Sequence, residues 1–568
     1  MKKLINLMIV LLIVGIFPVP DFVWKFAPHA LAQGELPPTI IVNTTLDDPR
    51  GCPERCTLRS AIAMASPGDV IGFDPAVSGV LVLAQPLVID KDLTINGPGA
   101  DVFAVDGSER FRVLEIPAGV TVNISGLTIQ NAGDSGIYNE GTLTVSDSVF
   151  FGNSAASGGG IANGGNLTIT RSIFSGNSAS SGGGIASYFG ELTITDSTFS
   201  DNAASSDGGG VLNWGGRTTV TSTAFSGNSA ANEGGGIRDL GDLTIIDSTF
   251  SGNSAIRLGG GIASSGILTI TSSTFSDNAA QNGGGIDNQK GPTTITNSIF
   301  SDNAAGGIGS GIANDGILTI ANSTFSGNSA GSSGGGIANG GNLTITRSIF
   351  SGNSAEDGGG GITSWDTLIV TDSTFSGNSA GHQGGGINNY QSTLFIVNST
   401  FSGNSTNYGG AISTGRRNTV IVNGTLNGNS ANIRGGGVFI GENGAIDLSN
   451  SIVAGNAAAE GPDIFGEVNS LSGNLVGDPQ GVLGLWASDL LEGDLLLGPL
   501  ADNGGPTQTM ALLAGSPAID AISAEYCVWD DDSDPDTPPV PLLTDQRGAP
   551  RTGPCDIGAF EFGAVPPG

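Results

Sequence analysis

Residues 325–337 read FSGNSAGSSGGGI, and close variants of this phrase return along most of the chain. Phe holds one phase at 150, 174, 199, 225, 250, 275, 300, 325, 350, 375 and 401, and Leu426 continues the row at the same step of 24 to 26 residues. Three residues after each comes Asn, from Asn153 through Asn328 to Asn429. A glycine run ending in Ile or Val follows, as in Gly334-Gly335-Gly336-Ile337, and then LTIT or a variant, as at 167–170 and 343–346. Self-similarity at a period of roughly 20–50 residues is the mark of a solenoid or a propeller.

The pieces within one period decide between the two. Leu167 and Ile169 fall on one face of an extended segment and Thr168 and Thr170 on the other, which is strand alternation. Segments this short, separated by Gly or Asn, cannot be useful helices, and a propeller blade needs about 40–45 residues. Three short strands per turn describe an all-β parallel β-helix whose coils pair at roughly 4.8 Å. In such a stack each position lies above its equivalent in the next coil. The row containing Phe325 becomes an internal ladder, each ring contributing roughly 1.5–3 kcal/mol by burial. Asn328 is expected to take left-handed backbone at a turn and to bond the Asn above and below. Gly334, Gly335 and Gly336 let the chain double back ahead of Ile337. All six are read as structural ladder positions. Residues 157–179 recur unchanged at 333–355, as a duplicated scaffold does.

Composition narrows the partners. The 568 residues include 94 Gly, only 13% are charged, and the net charge is −32. Lys2 and Lys3, an apolar run from Leu4 to Phe17 and Ala30-Leu31-Ala32 give residues 1–32 the layout of a signal peptide. Without that segment Lys91 and Lys290 are the only lysines. So acidic a surface repels nucleic acid and anionic lipid, and no transmembrane helix is expected in the mature chain. Cys52, Cys56, Cys527 and Cys555 lie outside the repeats. Export makes disulfides plausible, and the local pairs 52–56 and 527–555 are preferred among the three pairings.

The FxxN and GGGI phrases resemble the repeats of chlamydial polymorphic outer membrane proteins over residues 150–438, and Gly409-Gly410-Ala411-Ile412 fits the second motif in full. Those proteins end in an autotransporter barrel, whereas Val565-Pro566-Pro567-Gly568 ends a stretch without barrel-like alternation. Cys56-Thr57-Leu58-Arg59-Ser60-Ala61-Ile62 resembles the CSLREA module of exported bacterial proteins, with Thr57 for Ser and Ser60 for Glu. Residues 57–65 are expected to form a short helix over the open first coil. At the other end, 497–520, 544–551 and 555–562 resemble the choice-of-anchor Q domain, with Met510 where such sequences often carry His. Its matching charges, Asp520, Asp545, Arg547 and Asp556, are expected to form a salt-bridged cap on the last coil. The resemblances imply a single-stranded right-handed parallel β-helix, a pectin-lyase-like solenoid with caps at both ends. The expected layout is a signal peptide at 1–32, an N-terminal cap at 33–68, the β-helix at 69–475 with repeats from about 140 to 456, and a C-terminal unit at 476–568.

Three chemical candidates remain. A polysaccharide lyase of this fold would need a base and carboxylates gathered on adjacent coils. Asp147, Asp196, Asp247 and Asp372 share a phase with Arg171 and Arg347, but Ser222, Ser272, Asn297 and Asn322 interrupt them. No residue is therefore assigned a catalytic or cofactor-binding role. Thr144, Thr168, Thr193 and their successors make an outward row resembling ice-binding solenoids, interrupted beside it at Ile246 and Ala321. Asp530, Asp532, Asp534 and Asp536 are a candidate calcium set, although the run lacks the Gly and distal Glu of an EF-hand loop. The reading that results is an exported, surface-associated structural or adhesive rod facing a cell envelope, an extracellular glycan or a protein surface.

Overall fold

The computed structural model describes residues 40–49, 51–390, 392–415, 419–442, 444–490, 493–529 and 540–567. The chain winds into one stack of parallel strands in which each strand pairs with its equivalent one coil away. Phe325 lies opposite Phe300 and Phe350, Ile337 opposite Ile312 and Ile362, and Leu343 opposite Leu318 and Leu368. Sequence periodicity becomes register because a one-residue slip would turn every apolar side chain outward. Besides the LTIT, Phe and GGGI strands there is a fourth short ladder, made by pairs such as Ser329–Ala330. It exists because the Asn three residues after each Phe is tied inward and leaves the following residues extended.

The core is a set of columns. From Phe150 to Phe401 the rings are fully buried and nearly parallel, Phe325 lying 4.7 Å from both Phe300 and Phe350. Beside them run Leu343 and Ile345 of the LTIT strand and Ile337 of the glycine strand. Thr168, Thr193, Thr219 and Thr244 form an in-register outer row, as the alternation requires.

Polar ladders hold the corners. Asn328 Nδ2 donates to Asn353 Oδ1 at 2.8 Å and to the carbonyl of Phe300 at 2.9 Å. Its own Oδ1 accepts from the backbone N–H and Nδ2 of Asn303 at 3.1 and 2.9 Å. The same relay runs in one direction from Asn153 to Asn456. It ends on Asp463, whose Oδ1 accepts from Asn456 N and Nδ2 at 3.0 and 2.9 Å. A carboxylate suits that place because the last member has only to accept. A second ladder passes each serine hydroxyl to the next coil, as Ser323 N to Ser348 Oγ at 3.2 Å.

The structure corrects where left-handed backbone falls. It is not at Asn328 but one residue earlier, at Gly327 with φ +66° and at Asp201, Asp277 and Asp302 in other coils. The Asn must keep ordinary backbone for its side chain to point inward. The glycine run divides its duties: Gly334 has φ +71°, whereas a Cβ on Gly336 would sit 2.6 Å from the Gly361 carbonyl of the next coil. Crowding, not flexibility, demands glycine there.

Both ends of the stack are covered. Helix α1, Leu58–Met64, is capped by Thr57, whose hydroxyl accepts from Ser60 N, and it buries Leu58, Ala61 and Ile62 against the first coil. Arg59 and Asp47 pin it through Nε–Oδ1 and Nη2–Oδ2 contacts of 2.6 and 2.9 Å. At the far end Val482–Leu483 continues the sheet beside Gly466 and Glu467. Among the described residues, no helix is long and apolar enough to cross a membrane. Residues 1–32, with the apolar run read as a signal peptide, lie outside the described residues.

Candidate ligand groove and charged clusters

The charged row considered for lyase chemistry has a backbone explanation. Asp147, Arg171, Asp196, Ser222, Asp247, Ser272, Asn297, Asn322, Arg347 and Asp372 all lie at φ between +46° and +53°. They occupy the tight turn between the LTIT and Phe strands, where Asp, Asn and Ser are tolerated in left-handed conformation. Arg171 makes a bidentate pair with Asp147 at 2.8 and 2.7 Å, while Asp196, Asp247 and Asp372 sit on separate turns. The row records a turn preference.

A tighter cluster lies on the outer face of the glycine strands, at positions the repeat phrase does not mark. Arg238 contacts Glu233 at 2.9 Å and donates to the Ala263 carbonyl, Ser265 Oγ and Gln289 Oε1, each at 3.2 Å. Gln289 Nε2 returns to Glu233 at 3.0 Å. Asp287, in the same outward column two coils on from Arg238, is pushed up to about 7 by burial, with Asp315 and Glu233 adding to the effect. Asp239, behind Arg238, is raised to about 6, again by burial first. The signal was GGGIRD and GGGIDN where other coils read GGGIAN. The network closes on itself and braces three coils.

Further along the same face the column opens into a groove. One part, of about 220 Å³, is lined by Asp357, Thr363, Trp365, His382, Asn388 and Tyr390, among others. The next, of about 170 Å³, shares Gln383, Asn388 and Tyr390 with it and continues to Thr414 and Phe439. Trp365 and Tyr390 occupy equivalent turn positions in consecutive coils and are 41% and 54% exposed. A line of rings follows one wall: His382 meets Tyr408 edge-on at 5.5 Å, and Tyr408 meets Phe439 at 5.2 Å. Arg434 stacks over Phe465 at 4.6 Å. Asp357 accepts from Ser332 Oγ at 2.9 Å. In the floor column, where Ala313 and Ala338 stand earlier, Thr363 and Asn388 take over. Thr363 Oγ1 is held by the Gly358 carbonyl at 2.7 Å. The arrangement offers flat apolar surfaces beside amide donors and acceptors. The repeat phrase concealed it because these residues are the positions at which each copy departs from the others.

The C-terminal unit departs from expectation in extent. It covers the last coils, where Ile452 and Leu475 share a core with Ile522 and Ile557, but it also runs back along the flank of the rod. Thr507 Oγ1 donates to the Asp372 carbonyl at 3.0 Å, Thr400 Oγ1 to Gln546 Oε1 at 2.6 Å, and Ala559 N to Thr425 Oγ1 at 3.0 Å. Asn450 Nδ2 reaches the Tyr526 carbonyl at 2.8 Å. The outward threonines of the Phe strands supply the attachment, and Thr374, Thr400 and Thr425 become buried there. Asp372 is raised to about 6, chiefly by burial. Within the unit Arg547 pairs with buried Asp545 at 2.7 Å and lies over the Phe560 ring at 3.7 Å. Arg551 pairs with Glu561 at 2.8 Å. Asp556 accepts from Asp520 N at 2.7 Å and from Phe562 N, so Asp545, Arg547 and Asp556 are engaged within the unit. Met510 is buried. Disulfides join Cys52 to Cys56 and Cys527 to Cys555. Asp530, Asp532, Asp534 and Asp536 lie outside the described residues.

Residues 137–311 match the family described as right handed beta helix region, and residues 372–390 match the Chlamydia polymorphic membrane protein repeat. No curated protein matches the sequence. Among solved structures the chain is similar to a mannuronic acid specific polysaccharide family 6 lyase from human gut microbiota, at 12% identity and a TM-score of 0.40, covering 64% of this chain and 87% of that one. It is also similar to pectate lyase Pel9A, at 15% identity and a TM-score of 0.24, covering 54% and 75%. A third is the catalytic unit of a GH87 alpha-1,3-glucanase from Streptomyces thermodiastaticus, at 13% identity and a TM-score of 0.24, covering 75% and 65%. The fold is a right-handed parallel β-helix, and nothing of those proteins' chemistry is transferred to this chain.

Proposed function

We propose that this right-handed β-helix is exported and works at a bacterial surface as a structural and adhesive rod, without turnover of what it binds. The observation that carries the reading is the coil-to-coil register of the stack, shifted at only a few of the pairings. It holds outward side chains at one-coil spacing over roughly 80 Å, given about 4.8 Å per coil, and so presents a fixed face to a partner. The repeat shared with Chlamydia polymorphic membrane proteins at 372–390 supports a surface location. Residues 1–32 serve as the signal peptide and 33–68 as the N-terminal cap of the 69–475 helix. Residues 476–568 serve in attachment to the envelope. Antibody labelling of intact cells expressing the full chain, with adhesion of those cells to immobilised extracellular material, tests the reading. Labelling only after lysis would overturn it.

The polysaccharide-cleaving alternative has one observation in its favour, the gathering of Arg238 and Glu233 with Asp287 two coils on. Incubation of the full chain with a polysaccharide panel and calcium addresses it directly. Release of unsaturated, ultraviolet-absorbing products would replace the adhesive reading.

A further inference from the structure

We propose that the groove running past Thr363, Asn388 and Thr414 binds a neutral glycan chain laid along the rod axis; this gives the adhesive reading above its ligand class and rests on it. Three observations point there.

The first is an amide in the floor of the groove. Asn388 is only 6% exposed and lines both parts of the groove, yet among the described residues its side chain has no hydrogen-bond partner. Gly358 makes room for it, since a Cβ there would lie 2.5 Å from Asn388 Nδ2. Alanine fills this column at 313 and 338, so the fold itself does not require an amide. Its polar atoms face the groove and not the core, so a ligand hydroxyl can both accept from its N–H and donate to its carbonyl oxygen.

The second is the pair of ring faces. Trp365 and Tyr390 stand exposed on consecutive coils, at a turn where neighbouring coils carry Gly340 and Gly415. Among the described residues neither ring packs on another ring. Coils rise 4.7 Å here, the ordinary spacing of neighbouring strands, which is of the same order as one sugar ring. Successive sugars can therefore set their apolar C–H faces on successive rings while their rims meet Asn388, Gln383 and Asp357.

The third is what the groove refuses. The strands of the floor already pair coil to coil on both edges, so a peptide cannot add as another strand. A net charge of −32 and a carboxylate in the groove oppose anionic polymers. That single carboxylate, already held by Ser332, makes no cation site.

The test is calorimetric titration of the full chain with cellohexaose, laminarihexaose, mannohexaose and maltohexaose, with oligogalacturonate and oligoalginate as anionic probes. At least one neutral hexasaccharide is expected to bind. Trp365→Ala, Tyr390→Ala and Asn388→Ala should each weaken it by about tenfold, while Trp214→Ala, a half-exposed ring on an earlier coil, leaves it unchanged. The substituted rings are exposed, so unchanged thermal unfolding verifies that the variants are folded. Binding of anionic probes alone, no binding of any neutral probe, or binding indifferent to all three groove substitutions overturns the proposal. A chain that labels on intact cells but binds no neutral probe refutes the groove assignment alone. A chain that binds through the groove but is not at the surface refutes the adhesive reading alone.

Discussion

Removing one member of the asparagine ladder is expected to loosen the stack locally and in one direction. Asn328 is fully buried, and its side chain makes four hydrogen bonds of 2.8 to 3.1 Å. In Asn328→Ala, Asn353 Oδ1 keeps a donor, because the backbone N–H of residue 328 still reaches it at 3.1 Å. The loss falls on the preceding coil, where the Asn303 backbone N–H loses its acceptor and Asn303 Nδ2 keeps only the Phe275 carbonyl for one of its two N–H bonds. Two buried N–H bonds left unpaired cost about 1–3 kcal/mol each, so the variant should lose about 4 kcal/mol. Amide hydrogen exchange resolves the direction: the Asn303 amide should exchange about a thousandfold faster, while the Asn202 amide, several coils away, should not change. Urea unfolding of the same variant gives the total. A loss below about 1 kcal/mol, or equal acceleration on both sides of residue 328, would refute the one-way relay.

Three further outcomes follow from the charges, the C-terminal unit and the threonine rows. Asp287 has its folded pKa raised to about 7 from 3.8, so the folded state holds the extra proton between those values. Stability should therefore fall as pH rises from about 4 to 7, and Asp287→Asn should flatten that slope in chemical denaturation at a series of pH values. Gln546 bridges Thr374, Thr400 and Thr507 at 2.6 to 2.9 Å. Gln546→Ala should speed proteolysis within the C-terminal unit by about tenfold or more, with the rod fragment intact on a gel. The threonine row paired at 144, 168 and 193 is interrupted beside it at Ile246 and Ala321, so no thermal hysteresis or ice shaping is expected from the purified protein.

The repeat alone determined the coil, its register and its columns, because identity at a fixed period forces like side chains into contact along the stack. FSGNSAGSSGGGI thus specified Phe325 as an interior ring and Gly336 as a point of close approach. Even there, the left-handed residue proved to be Gly327 and not Asn328, since the direction of a side chain follows from backbone the pattern does not reveal. The copied segment shows the limit more plainly. Residues 157–179 and 333–355 are identical, yet Arg171 closes a bidentate pair with Asp147 while Arg347 lines a cleft against Gly505, Gln546 and Arg547 of the C-terminal unit. What a repeated residue does depends on which coil it occupies and what folds back beside it. The groove past Asn388, the Arg238 network and the flank chosen by the C-terminal unit all join residues from different coils at outward positions. There the stacking rule is silent about identity, and only the tertiary structure sets which departures from the repeat become neighbours.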